Sequence, residues 1–310
     1  MASPPHPIAA PSAAAAAPAS GLLPALAAYT MWGFLPLYLL LVKAVPPFEF
    51  VGWRIIWTLP LCLLIVAFRR QFGELLTALR SPRAMLALVG SALLIGINWF
   101  VYIWAIMAGE VYAASIGYYL NPLINVLLGT LFLGERLTRW QWLAVAIALV
   151  AVLLLAAGAL TSLWISLSLA LSFAFYGLVR KQITVGSLPG LTIESAILLL
   201  PAIGIAGWYA ASPAGSSFGR EPGLSALIVM SGVVTAVPLL LFALAARRMD
   251  YSTLGFIQYL APTIVFILGL MVFEQPLAPA KFFSFVLIWI AVSIFIADLW
   301  ARKRAARAAA

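Results

Sequence analysis

Few residues inside this chain are equipped for chemistry. His6 is its one histidine and Cys62 its one cysteine. A zinc site of the Cys/His type lacks ligands, an intramolecular disulfide lacks a partner, and a Ser-His-Asp centre would have to borrow its base from the N-terminal tail. Two ionisable residues interrupt long apolar runs: Arg54 in FVGWRIIW and Glu194 in LTIESAIL. Ionisable groups in such surroundings are candidates for ion coupling, here coupling to a proton gradient. Each also has a plainer role. Arg54 is close enough to the start of its run to snorkel, and Glu194 is near enough to a helix N-terminus to be favoured there.

A second set is polar and aromatic. Tyr29 and Trp32, then Asn98, Trp99 and Tyr102, then Tyr118 and Asn121, then Tyr176, and finally Gln258 and Tyr259 all fall inside apolar stretches. Rings with polar tips can stack on an apolar solute while hydrogen-bonding it, so these are the expected lining of a substrate pathway. The alternatives are an interfacial aromatic belt and hydrogen bonds that join neighbouring helices. Pro122 and Pro262 lie in mid-run. Each removes a donor and frees the carbonyl four residues earlier, so a helix break is expected at both, facing a wet cavity or simply kinking the helix.

The elements that must hold these residues follow from composition. The chain has 310 residues, 65% of them hydrophobic and 9% charged, against about 25% charged in soluble domains. That excludes a soluble enzyme, a secreted domain and a disordered protein. Ten apolar stretches, near 21–43, 48–68, 84–108, 111–133, 140–160, 162–181, 191–211, 224–246, 251–273 and 277–299, are long enough to span a bilayer as helices. With the N-terminus in the cytoplasm, fourteen of the 18 Lys and Arg residues fall in cytoplasmic segments and Lys43, Arg220 and Lys281 outside. This bias places both termini inside. The net charge of +9 reflects those loops, and no basic stripe suited to nucleic acid accompanies it. Arg180 and Lys181 are read as orientation signals, and Asp298 and Glu110 as solvated span ends. RRQFGELLTALRSPR predicts a short amphipathic helix on the inner membrane surface. Residues 1–20, with five prolines and an alanine run, read as a disordered cytoplasmic tail, and 301–310 as a basic one.

The chain also repeats itself. A slide of 140 residues lays YYLNPLINVLLG, ending at Gly129, on QYLAPTIVFILG, ending at Gly269. Tyr119, Leu120, Pro122, Ile124, Leu128 and Gly129 meet identical residues, and Arg54 meets Glu194. The repeats are 21–160 and 161–300, five spans each. An odd number inverts the second copy, as in many secondary transporters, and two inverted halves can exchange conformations to give alternating access.

The segments LAAYTMWGFLPLY, LIGINWFVYIWA, GYYLNPLINVLLGTLFLGERL, SFAFYGLVRK and STLGFIQYLAPT resemble the EamA group of the drug/metabolite transporter superfamily, and within it the RarD (chloramphenicol-sensitivity) family. The resemblance covers about 21–300. It implies an all-α bacterial inner-membrane transporter of ten helices with both termini cytoplasmic, and it fixes no substrate.

The chain has no GxxxxGK[ST] phosphate loop, and no cofactor or metal is called for. The expected function is secondary transport, as export of small amphipathic metabolites such as amino acids or related drugs, with membrane lipids as the surroundings. The alternatives are a lipid or lipid-carrier translocator on the same fold, a membrane enzyme, which lacks convergent acid and base groups, and a non-transporting scaffold or sensor. The sequence leaves oligomeric state open.

Overall fold

The computed structural model describes residues 21–157, 160–274 and 279–308, so the expectation for the 1–20 tail and His6 lies outside the described residues. The described chain is helical: α1 (Leu22–Leu41), α2 (Pro47–Phe68), α3 (Phe72–Arg80), α4 (Pro82–Met107), α5 (Val111–Phe132), α6 (Arg139–Ala156), α7 (Leu163–Gln182), α8 (Ser187–Ala211), α9 (Pro222–Arg248), α10 (Tyr251–Gln258), α11 (Leu260–Met271) and α12 (Pro279–Ala308). Ten candidate spans result, with α10 and α11 counted as one and the short α3 as none.

Their starts follow the sequence duplication. α2 and α8, α4 and α9, α5 and α10, and α6 and α12 begin 140 residues apart. Related helices also meet: α2 packs on α8, α5 on α10, and α6 on α12. One related pair of contacts is unequal, because α2 packs along α9 more extensively than α4 along α8.

Local signals set the boundaries. Pro47, Pro82 and Pro222 occupy first turns, where no amide donor is needed. Ser81 accepts from the Ala84 amide, and Thr138 and Gln141 form a reciprocal capping box. α10 starts differently. Asp250 makes no side-chain cap there, and the orphan amides of Tyr251 and Ser252 donate to the Glu135 carboxylate at 2.5 and 2.9 Å. Where α9 ends, the Lys181 ammonium donates to the carbonyls of Ala246 and Met249 at 3.0 and 2.6 Å. Lys181 thus satisfies α9's last carbonyls besides carrying charge.

Most Lys and Arg residues cluster at the end of the bundle where α4, α6, α8 and α10 begin, called here the basic end. At the other end Glu49 is buried. It accepts from Ser216 Oγ, the Ser217 amide and Ser217 Oγ at 2.6, 2.7 and 2.7 Å, so it pins the loop before α9 to the first turn of α2. α3 is the amphipathic helix expected on the surface, with Leu75 and Ala78 buried and Phe72, Leu76 and Leu79 exposed.

Two expectations change. α5 runs unbroken through Pro122, whereas the related helix breaks at Tyr259, between α10 and α11. α5 is gripped on both sides of its proline: Asn121 donates to the Ala170 carbonyl at 2.8 Å and Asn125 to Gln258 at 2.9 Å. Glu194 lies two turns inside α8 rather than near its first residue, because the helix already begins at Ser187. Within the basic segment, residues 301–308 are helical and continuous with α12.

Gly232 sets the α2–α9 contact. A Cβ there would lie 2.5 Å from the Trp57 carbonyl oxygen and 3.0 Å from the Thr58 amide, both backbone, whereas Gly204 has nothing within 4 Å. Gly232→Ala should destabilise the purified protein by roughly 1–3 kcal/mol, the cost of overpacking, and Gly204→Ala should be near neutral. Thermal unfolding in detergent checks the pair.

Candidate functional site

The expected site residues divide into a sealed half and an accessible half. On the basic-end side Tyr29, Trp32, Phe173, Tyr176 and Phe242 form one aromatic cluster. The Trp32–Phe173 and Phe173–Phe242 centroids are 5.6 and 5.1 Å apart, and Tyr176 stacks on Phe242 at 6.1 Å. Tyr29, Tyr176 and Phe242 are fully buried. Tyr251 extends the seal by donating to the Ala174 carbonyl at 2.6 Å, its hydroxyl lying where Gly177 has no side chain.

Beneath the seal lies a buried ion pair. Arg180 and Glu194 are 0% and 1% exposed, with Arg180 Nη1 3.6 Å from Glu194 Oε1. Ser91 donates to the same carboxylate at 2.5 Å and Tyr176 at 3.5 Å, and Arg180 Nη2 donates to the Ser187 carbonyl at 2.8 Å. Gly190 leaves the space the guanidinium fills. Thus Arg180, expected as a surface orientation charge, is instead held inside the bundle by the acid on the next helix. A cavity of about 10 Å³ beside Glu194, lined in part by Thr58, Trp99, Tyr176 and Ser195, is at the lower limit of room for one water.

The half away from the basic end is less tightly closed at Tyr118. It keeps 46% of its surface accessible, with the Tyr102 ring 6.0 Å away. Trp99, Tyr102 and Arg54 are partly exposed. Arg54 and Tyr118 lie within electrostatic range of each other. Rings from α4 and α5 and a cation from α2 therefore lie close together, and Tyr118 is the most exposed of them.

Between the halves lies a polar layer. Asn98 donates to the Leu169 carbonyl and to Ser172 at 2.8 and 3.0 Å, Asn125 donates to Asn121 and Gln258, and Tyr29 to Gln258 at 3.4 Å.

The EamA-like transporter family matches residues 19–157. Protein RarD of Escherichia coli (strain K12) is 42% identical over 296 residues, covering 93% of this chain and 97% of that one. An uncharacterized transporter of Vibrio cholerae is 40% identical over 289 residues, covering 93% and 96%. The chain belongs to the RarD family of EamA-like transporters. One solved crystal structure shares the fold, with a TM-score of 0.69 at 21% identity over 92% of this chain and 100% of that one.

In this RarD-family member the residues expected to line a pathway are not all in one place. Trp99, Tyr102, Tyr118 and Arg54 form the partly exposed group. Tyr29, Trp32, Tyr176 and Glu194 belong to the seal, and Asn98, Asn121 and Gln258 tie helices together in the polar layer. Tyr259 is elsewhere. Its ring packs with Phe256 in the α6–α12 core, and its hydroxyl donates to the Tyr119 carbonyl at 3.3 Å. Tyr251, Phe242, Glu49 and Glu135 went unnoticed because each reads as an ordinary apolar or end-of-span residue. Arg180 had a usable signal: a short turn folds α8 back along α7, which brings its cation to Glu194.

Removing one member of a buried pair strands the other, at about 3–5 kcal/mol. Glu194→Leu and Arg180→Leu should each lower the unfolding temperature strongly, and the double substitution should lose less than the two singles combined. A double-mutant cycle on purified protein measures the difference.

Proposed function

We propose that this protein is a secondary transporter that exports small amphipathic metabolites, amino acids or related compounds, across the bacterial inner membrane by alternating access and without ATP. The observation that carries the reading is the contrast along one axis: an accessible Tyr118 in the half away from the basic end and a fully buried seal of Tyr29, Tyr176, Tyr251 and Phe242 in the other. With the basic end in the cytoplasm, the side the charge bias favours, the reading is of an outward-open arrangement. The unequal packing of α2–α9 and α4–α8 supports it, because two inverted halves in exchanged conformations must break their own symmetry.

On this reading Trp99, Tyr102 and Tyr118 meet the solute, the seal must loosen for the other side to open, and the Asn98, Asn121 and Gln258 layer keeps the helices registered. Glu194 is the group through which a proton gradient would act. It sits in the sealed half and would reach water only when that half opens.

The test is counterflow of labelled amino acids and aromatic amphiphiles into proteoliposomes, with and without a pH gradient. Saturable uptake without a gradient is the expected result, and Tyr118→Ala should lower it at least about tenfold, the loss expected for a ring contact with solute. Tyr259→Ala should change stability more than selectivity. Absence of counterflow across the whole panel would overturn the reading in favour of a lipid translocator or a scaffold.

A further inference from the structure

Two arginines inside spans, the buried Arg180 and the partly exposed Arg54, make an internal comparison. Arg180 has a carboxylate partner within the bundle. Arg54 has none: among the described residues no carboxylate lies within ion-pair distance of it. It is nevertheless fixed in place. Its Nε donates to Thr235 Oγ1 at 3.0 Å, and Thr235 in turn donates to the Ser231 carbonyl at 2.7 Å, which leaves that oxygen free to accept. The guanidinium carbon lies 5.1 Å from the Trp99 ring centroid and 5.9 Å from that of Phe50. The main chain is held as well, since Thr58 Oγ1 donates to the Arg54 carbonyl at 2.7 Å.

Nε is thus used and the planar group lies against rings. Nη1 and Nη2 make no hydrogen bond to a described residue, and neither is among the polar atoms sealed from solvent without a partner, whereas Nε and Nη1 of Arg180 are. Two parallel donors on a positive, immobilised fork therefore stay uncommitted beside Trp99, with Tyr102 and Tyr118 within electrostatic range. That fork matches a carboxylate bidentately. An uncompensated cation inside a bundle is costly, and a bound anion supplies the missing half of the pair.

Resting on the transport reading above, we infer that Arg54 is the anion subsite of the substrate cavity, and that the substrate is a small organic carboxylate whose apolar or aromatic body lies between Trp99, Tyr102 and Tyr118. No acid of the described residues faces Arg54, so an ammonium group on the ligand finds no matching charge there. A free carboxylate is therefore preferred to a zwitterion, and a zwitterion to a cation.

The test is equilibrium binding to the purified full chain at constant ionic strength, read by thermal stabilisation and calorimetry, with phenylacetate, phenylalanine, phenethylamine and sulfate as probes. The expected order is phenylacetate, then phenylalanine, with phenethylamine and sulfate weakest. Arg54→Gln should weaken phenylacetate at least about tenfold, the loss of a charge-assisted pair, and Arg54→Lys, which keeps the charge without the fork, severalfold. The surface variant Lys43→Gln should bind as the wild type does. Equal binding of phenethylamine and phenylacetate by the wild type overturns the inference without any variant, which covers the case that Arg54→Gln fails to fold. Unchanged phenylacetate affinity in Arg54→Gln overturns it too, and stronger binding of a short-chain phosphatidic acid than of phenylacetate moves the anion to a lipid headgroup and overturns the carboxylate assignment. The transport reading fails separately: phenylacetate binding that depends on Arg54 without any counterflow leaves the subsite standing and removes the transporter, and counterflow that is indifferent to Arg54 does the reverse.

Discussion

A helix surrounded by hydrocarbon can satisfy its backbone only within itself, so the few polar side chains that point inward decide how ten helices meet and where water enters. Several of them bond a neighbouring helix, as Asn98 does to the Leu169 carbonyl and Asn121 to the Ala170 carbonyl, and these build the polar layer. Arg54 instead keeps two donors unused beside aromatic rings. The aromatic seal completes the division, because Tyr29, Tyr176 and Phe242 are fully buried in the same half as the Arg180–Glu194 pair.

The same constraint explains why the two related proline helices differ. A proline inside a helix leaves a carbonyl without its donor and bends the axis unless neighbours compensate. α5 has those neighbours in Ala170, Gln258 and the close backbone of Gly255, whose Cβ would lie 2.8 Å from the Pro122 carbonyl oxygen. The other copy turns at Tyr259 instead, where Thr263 Oγ1 donates to the Tyr259 carbonyl at 2.7 Å. One sequence motif thus yields a continuous helix and a divided one, and the two copies differ in detail.

Hydropathy and charge carried the spans, the basic end and the amphipathic α3, because each is set by runs of residues along the chain. The duplication was legible through Tyr119, Pro122 and Gly129 against their counterparts. What could not be read is which side of a helix faces which neighbour. Tyr118 and Tyr259 stand one residue apart in the aligned motifs, yet one borders the cavity and the other fills the α6–α12 core, since successive helical residues point about 100° apart. Glu49 and Glu135 were hidden for a related reason. Their partners, Ser216 with Ser217 and the amides of Tyr251 with Ser252, are more than a hundred residues away in sequence, and nothing local announces them.

Arg54 and Glu194 occupy the same place in the two copies, two turns into α2 and two turns into α8 from opposite ends of the bundle. Exchange of the halves would therefore do opposite things to them. It would close the space around Arg54 as the α4–α8 contact took on the packing now seen between α2 and α9, and it would open the surroundings of Glu194. A carboxylate ligand held by the guanidinium in one arrangement would then meet a negative group in the other. On the proposed transport reading, opposite charges at symmetry-related positions would give an anion different affinities on the two sides of the membrane, and protonation of Glu194 would reduce that difference. A substrate charge and a coupling proton would then act through one pair of duplicated positions, with Arg180 setting the charge balance around Glu194.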